Sequence, residues 1–160
     1  MSKGICADKK YIYKTAAAWC LVIIWAAVIF YLSSRTADQS TVQSRGMIQS
    51  FSGILGKTIG SEELMETVDG IVRETAHGIE YFILGALVFN AMNAAIPSVI
   101  LCAVYALSDE IHQISVPGRA FQIMDLFIDF IGIVFGVVVV MIIFRCRNNK
   151  STISSCTHQE

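Results

Sequence analysis

Charge is what this sequence is short of. Only 16% of its 160 residues are Asp, Glu, Lys or Arg, against about 25% in an ordinary soluble domain, too few to clothe a fully aqueous surface. Neither sign is in excess: twelve Lys and Arg against thirteen Asp and Glu leave a net charge of −1, which excludes a nucleic-acid binder working through an overall basic field. Proline is down to two residues, and the five cysteines never stand in a C-x-x-C spacing, so neither a thiolate zinc site nor a structural disulfide is expected. No cofactor-binding motif and no H-E-x-x-H is present either. What is abundant is hydrocarbon. Hydrophobic residues make up 54% of the chain and mean hydropathy is +0.59, which excludes disorder and points to a lipid solvent. The length allows one domain.

Three stretches carry that hydrocarbon. Residues 16–32 run seventeen positions without a charge, at the short end of what a helix needs to cross about 30 Å of bilayer core. Residues 126–144 hold a single charge, Asp129, and stop at Arg145. Residues 81–107 are uncharged throughout, long for one helix and right for two if a turn falls near Asn93-Ala94-Ala95. Pro97 suits the first turn of a helix after such a break.

Basic residues settle the count, because Lys and Arg near span ends stay cytoplasmic. Lys3, Lys9, Lys10 and Lys14 precede the first span, and Arg145, Arg147 and Lys150 follow the last. Both termini then belong inside, which requires an even number of spans. The expectation is an all-α integral membrane bundle with spans at about 16–32, 75–93, 96–115 and 124–144, and cytoplasmic tails at 1–15 and 145–160. A cleaved signal peptide would also begin basic and then apolar, but no A-x-A-like site follows. The loop between the first two spans is predicted to be external and to hold one or two amphipathic helices. Met47, Ile48, Phe51, Ile54 and Leu55 form one helical stripe, and Leu64, Met65, Val68, Ile71 and Val72 form a second, with Ser61 as its N-cap.

The polar residues inside the spans are gathered at one depth. Ionisable groups in hydrocarbon are costly and normally face a cavity or one another. His77 and Glu80 enter the second span from outside, Asp109 and His112 leave the third toward outside, and Asp125 and Asp129 enter the fourth from outside. Spacings of three or four residues put each pair on one helical face. Val116-Pro117-Gly118-Arg119 reads as a type II turn that presents Arg119 beside the carboxylates. Tyr81, Glu110 and Gln113 complete the candidate ligand-binding set. Gly132 and Gly136 continue the Asp129 face as a small-xxx-small pattern for close packing, with a helix of the same chain or of a second copy.

Two segments, RETAHGIEYFILGAL (73–87) and YALSDEIHQISVPGRAFQIMDLFIDFIGIVFG (105–136), resemble the VanZ-like family of small bacterial membrane proteins. The second is the more specific, with D-E-x-H-Q, then P-G-R, then D-x-x-x-D-x-x-G. FYLSSRTADQS (30–40) resembles the family's first-span ending, and the likeness extends over about 19–144. The sequence departs from the family pattern at Glu74, where a basic residue is usual, and at Gly78 and near Ser115, where aromatics are usual. The resemblance implies a multi-pass bacterial cell-membrane protein and carries over the polar set His77, Glu80, Asp109, Glu110, His112, Arg119, Asp125 and Asp129. The family's founding member is associated with resistance to the glycopeptide teicoplanin.

Several functions compete for these residues. They could clasp the helices together through interhelical hydrogen bonds, although Asn, Ser or Thr would do so without burying so much negative charge. They could bind the head group of an envelope lipid or lipid-linked precursor, or a glycopeptide, with Arg119 on a phosphate and the other groups on sugar or peptide donors. An enzyme alternative has His77, Glu80, Asp109, His112 and Asp129 holding a metal that activates water against a phosphoester or amide. Ser108, four residues from His112, lacks an orienting third group for serine catalysis. A proton relay lacks acids in the inner half of every span. Binding is favoured over catalysis.

Overall fold

In a computed structural model the chain is described over residues 2–35, 62–119 and 121–156, with Val42, Arg45, Gly46, Ile48 and Ser50 in between. Among the described residues four long helices are present: α1 (Ser2–Ser33), α2 (Glu62–Met92), α3 (Ala95–Gln113) and α4 (Ile123–Cys156). Three contain segments long and apolar enough to cross a membrane: Tyr13–Ser33, Ala95–Gln113 and Ile123–Arg147. Their outer faces are hydrocarbon, with Ile23, Val104, Phe127 and Phe135 each more than 60% exposed. Contiguous apolar surface of that kind would be a liability in water and is the normal outer face of a lipid-embedded bundle.

The second amphipathic stripe of the expected loop is not a separate helix. Leu64, Met65, Val68, Ile71 and Val72 lie in α2, which continues without a break into the segment expected to span. The cause is phase: the inward positions 65, 69, 73 and 77 lead at spacings of three or four residues into the buried Tyr81, Leu84 and Val88. One face serves both parts, and Gly70 alone, costing about 1 kcal/mol, is not enough to end a helix. Of the first stripe only Ile48, helical and buried, is among the described residues; Met47, Phe51, Ile54, Leu55 and the expected cap Ser61 lie outside them. The expected tails are partly helical, since α1 begins at Ser2 and α4 runs to Cys156.

Helix α2 is the centre of the bundle, packing along α4 and touching α1 and α3. Glycine brings α2 and α4 into backbone contact: a Cβ added at Gly132 would meet the Gly78 carbonyl, one at Gly136 the Phe82 carbonyl, and one at Gly85 the Ile133 carbonyl. Small residues at these positions let van der Waals packing hold two helices where lipid supplies no hydrophobic drive. The Gly132/Gly136 face is therefore filled from within the chain. Around the crossing lie Val22, Ile29, Tyr81, Leu84, Val88, Cys102, Ala106 and Ile133. Polar ends of aromatics are met at its edge, with Trp25 Nε1 donating to the Glu80 carbonyl at 2.9 Å and Tyr105 Oη donating to the Ala26 carbonyl at 2.7 Å.

Two turns orient the helices. Asn93 closes α2 in the left-handed region at φ 52, its N–H donating to the Phe89 carbonyl, and α3 starts after an extended Ala94. Between α3 and α4, Gly118 adopts φ 78 and the Arg119 N–H donates to the Val116 carbonyl at 3.1 Å. Pro117 and Gly118 thus occupy the central positions that a type II turn assigns to them.

Candidate functional site

At the end of the bundle formed by the Gly118 turn, the inward stripes of α2, α3 and α4 change from apolar to ionisable. On α4 the buried face reads Asp125, Asp129, Gly132, Ile133, Gly136; on α3 it reads Cys102, Ala106, Asp109, Glu110, Gln113. The period of three or four that buries leucine in the middle of α2 buries Asp69 and turns Arg73, His77 and Glu80 inward nearer its start. The carboxylates are deeply enclosed: Asp109 is 3% exposed, and Glu110 and Asp129 are each 1%.

Their polar contacts are few. His77 Nδ1 stands 3.8 Å from Asp129 Oδ1, an ion-pair distance if the imidazole is protonated but too long for a hydrogen bond. Glu110 Oε2 accepts the Gln122 N–H at 3.1 Å and so ties the end of α3 to the entry of α4. Among the described residues seven buried atoms here make no hydrogen bond of good geometry: His77 Nδ1, Tyr81 Oη, both oxygens of Asp109, Glu110 Oε1 and both oxygens of Asp129, with the Tyr81 hydroxyl and the Asp109 carboxyl lying beside each other. A buried polar group left unmet costs about 1–3 kcal/mol, more when charged. The charges of Glu80, Asp109, Glu110 and Asp125 all bear on Asp129. Arg119, half-buried in the turn, and Arg73 on α2 are the cations opposite them. Burial and the neighbouring Arg73 hold the Arg119 guanidinium below the usual range, with Asp109, Asp125 and Glu110 pulling the other way.

His112 and Gln113 do not join this group. His112 stacks on Phe30 of α1 with ring centroids 4.6 Å apart, and its Nε2 lies 3.2 Å from Ser34 Oγ. Since that hydroxyl already donates to the Phe30 carbonyl at 2.6 Å, the imidazole is the donor in the contact. Gln113 Nε2 donates to Ser33 Oγ at 3.0 Å in a buried contact. Both residues fasten α3 to the end of α1. The five-residue metal set expected as the enzyme alternative is therefore not assembled, and among the described residues no three His, Cys, Asp or Glu side chains are placed to hold a metal ion. Ser108 is committed to the Tyr105 carbonyl at 2.7 Å and is not aimed at an imidazole.

Asp69 and Arg73 join the site beyond the residues the sequence pattern singles out. Their signal is the i, i+4 register that links residues 69, 73 and 77, and a span boundary near residue 75 hides it. The α1 end, where Phe30, Ser33 and Ser34 receive α3, carries no such signal.

The model of the VanZ/LLP1 family matches residues 18–145. The chain belongs to the VanZ/LLP1 family. No curated protein and no solved structure matches it. The VanZ/LLP1 region takes in all three apolar segments except their outermost residues, the glycine crossing, and every residue of the ionisable cluster from Asp69 to Asp129. It leaves out the first turns of α1 and the last turns of α4. Membership and the three apolar helices together make this a membrane protein. Chemically, the cluster offers an acceptor-rich interior with one imidazole and the guanidiniums of Arg73 and Arg119.

Proposed function

We propose that this VanZ/LLP1 chain is a multi-pass protein of the bacterial cell membrane whose outward-facing His/Asp/Glu/Arg cluster binds the head group of an envelope lipid or lipid-linked precursor, contributing to glycopeptide resistance of the teicoplanin type. In this reading it has four spans, α2 supplying the one that is not continuously apolar, and both termini are cytoplasmic. The Lys-rich start and the Arg-rich end of the chain favour that orientation.

The observation that carries the reading is the set of unmet buried oxygens on Asp109, Glu110 and Asp129 beside Arg119. A clasp between helices would pair its members, whereas these acceptors need donors from elsewhere. Arg119 pairs with phosphate through its fork of N–H groups, and the carboxylates and His77 take sugar hydroxyls or peptide N–H groups. His112 and Gln113 act at one remove by holding α3 against α1.

The test is expression in a glycopeptide-susceptible host, with protein level monitored. Arg119→Ala and Asp129→Asn are expected to accumulate normally, to lose protection against teicoplanin, and to lose the lipid that co-purifies with the wild-type chain. Unchanged susceptibility together with unchanged lipid content would overturn the proposal.

A further inference from the structure

A second feature lies at the opposite end of the bundle from the acids. A cavity of about 650 Å³ opens between the α2–α3 turn and the late turns of α4, with Phe89, Met141 and Phe144 on its apolar side and Asn93, Ala95, Arg145 and Arg147 on its polar side. The Phe89 and Phe144 rings, 6.0 Å apart, make a continuous aromatic wall. The apolar segment of α4 ends at Arg147, so the cavity sits at the level where hydrocarbon gives way to head groups.

Everything polar around it favours an anion. The Ala94 N-cap of α3 is extended and makes no side-chain cap bond, and Pro97 has no N–H to give, which leaves the amides of Ala95 and Ile96 at the positive end of the α3 dipole. Arg145 and Arg147 add two guanidiniums, and among the described residues neither forms an ion pair. No Asp or Glu occurs in residues 81–108 or 130–159, so the helix ends that line the cavity supply no carboxylate to compete for them. The surface joins phosphate-binding groups to a wall for hydrocarbon.

We propose that this cavity is a binding site for an anionic phospholipid, with its phosphate between Arg145, Arg147 and the first turn of α3, and an acyl chain along Phe89, Met141 and Phe144. Basic pockets between helices at a membrane surface hold lipid head groups in this way, through charge and paired N–H donors. The site shares no residue with the acid cluster and stands whether or not that cluster binds anything.

Native mass spectrometry of the purified full-length chain, exchanged into detergent with equal phosphatidylglycerol and phosphatidylcholine, tests it. Wild type is expected to retain phosphatidylglycerol over phosphatidylcholine by about tenfold. The Arg145→Gln/Arg147→Gln pair should lose that preference, and Ala95→Phe, which fills the cavity and keeps both arginines, should lose retention. Asp129→Asn should keep the wild-type preference for phosphatidylglycerol and lose only the lipid held at the acid end, which separates this site from the proposed head-group site. Equal retention of the two lipids by wild type, undiminished preference in both cavity variants, or displacement of the lipid by millimolar inorganic phosphate would overturn the assignment.

Discussion

The pair α2 and α4 is built in two ways along its length. In the middle, Gly85, Gly132 and Gly136 bring backbone against backbone, and a single added methyl has no room. One to two turns away, Asp125, Asp129, Arg73 and His77 occupy the same inward stripes, and the helices face each other through ionisable side chains. The first half is complete in itself. The second is held in place by it yet keeps seven buried polar atoms unmet. Tight packing in one region lets the other hold an arrangement that would not assemble on its own, because the glycine contacts fix the register in which the acids meet.

The largest effect should come from the packed half. Gly136→Val drives side-chain atoms into the Phe82 carbonyl, and overpacking costs about 1–3 kcal/mol even in yielding cores. The variant is expected to lose thermal stability in detergent and to accumulate poorly. The polar half should respond oppositely. Asp109→Asn with Asp129→Asn relieves the crowding of buried acids, so stability measured the same way should hold or rise while protection against glycopeptide is lost. Equal destabilisation by both sets would erase the distinction between the halves.

Smaller changes sharpen it. His112→Ala removes the ring stacked on Phe30 and the contact with Ser34. It should cost about 0.5–1.5 kcal/mol of stability and leave lipid co-purification near the wild-type level, as suits a residue that positions α3. Gly70→Ala, with nothing within 4 Å of its added Cβ, should stabilise α2 by about 0.5–1 kcal/mol, a gain readable as a small rise in melting temperature.

Much of the fold is legible in the sequence because hydropathy and turn chemistry are local. The break at Asn93, the Pro117-Gly118 turn and the long apolar segments each follow from a few adjacent residues. The unity of α2 is not local: its charged start and apolar end look like two elements until the shared inward face at 65, 69, 73, 77 and 81 is seen. The acid cluster is legible for the same reason as the turns, since i, i+4 spacing on α4 brings Asp125 and Asp129 to one face. His112 is the instructive miss. Three residues from Asp109, it lies about 60° around the helix, and only the position of α1 decides that it turns to Phe30.

A head-group site at the acid end requires that end of the bundle to lie outside the cell. In a background without native cysteines, Ser115→Cys and Asn93→Cys put thiols at exposed positions on the two opposite ends. A membrane-impermeant maleimide should label Ser115→Cys in intact cells and Asn93→Cys only after lysis. Labelling of Asn93→Cys in intact cells with Ser115→Cys protected would invert the protein and contradict the head-group site.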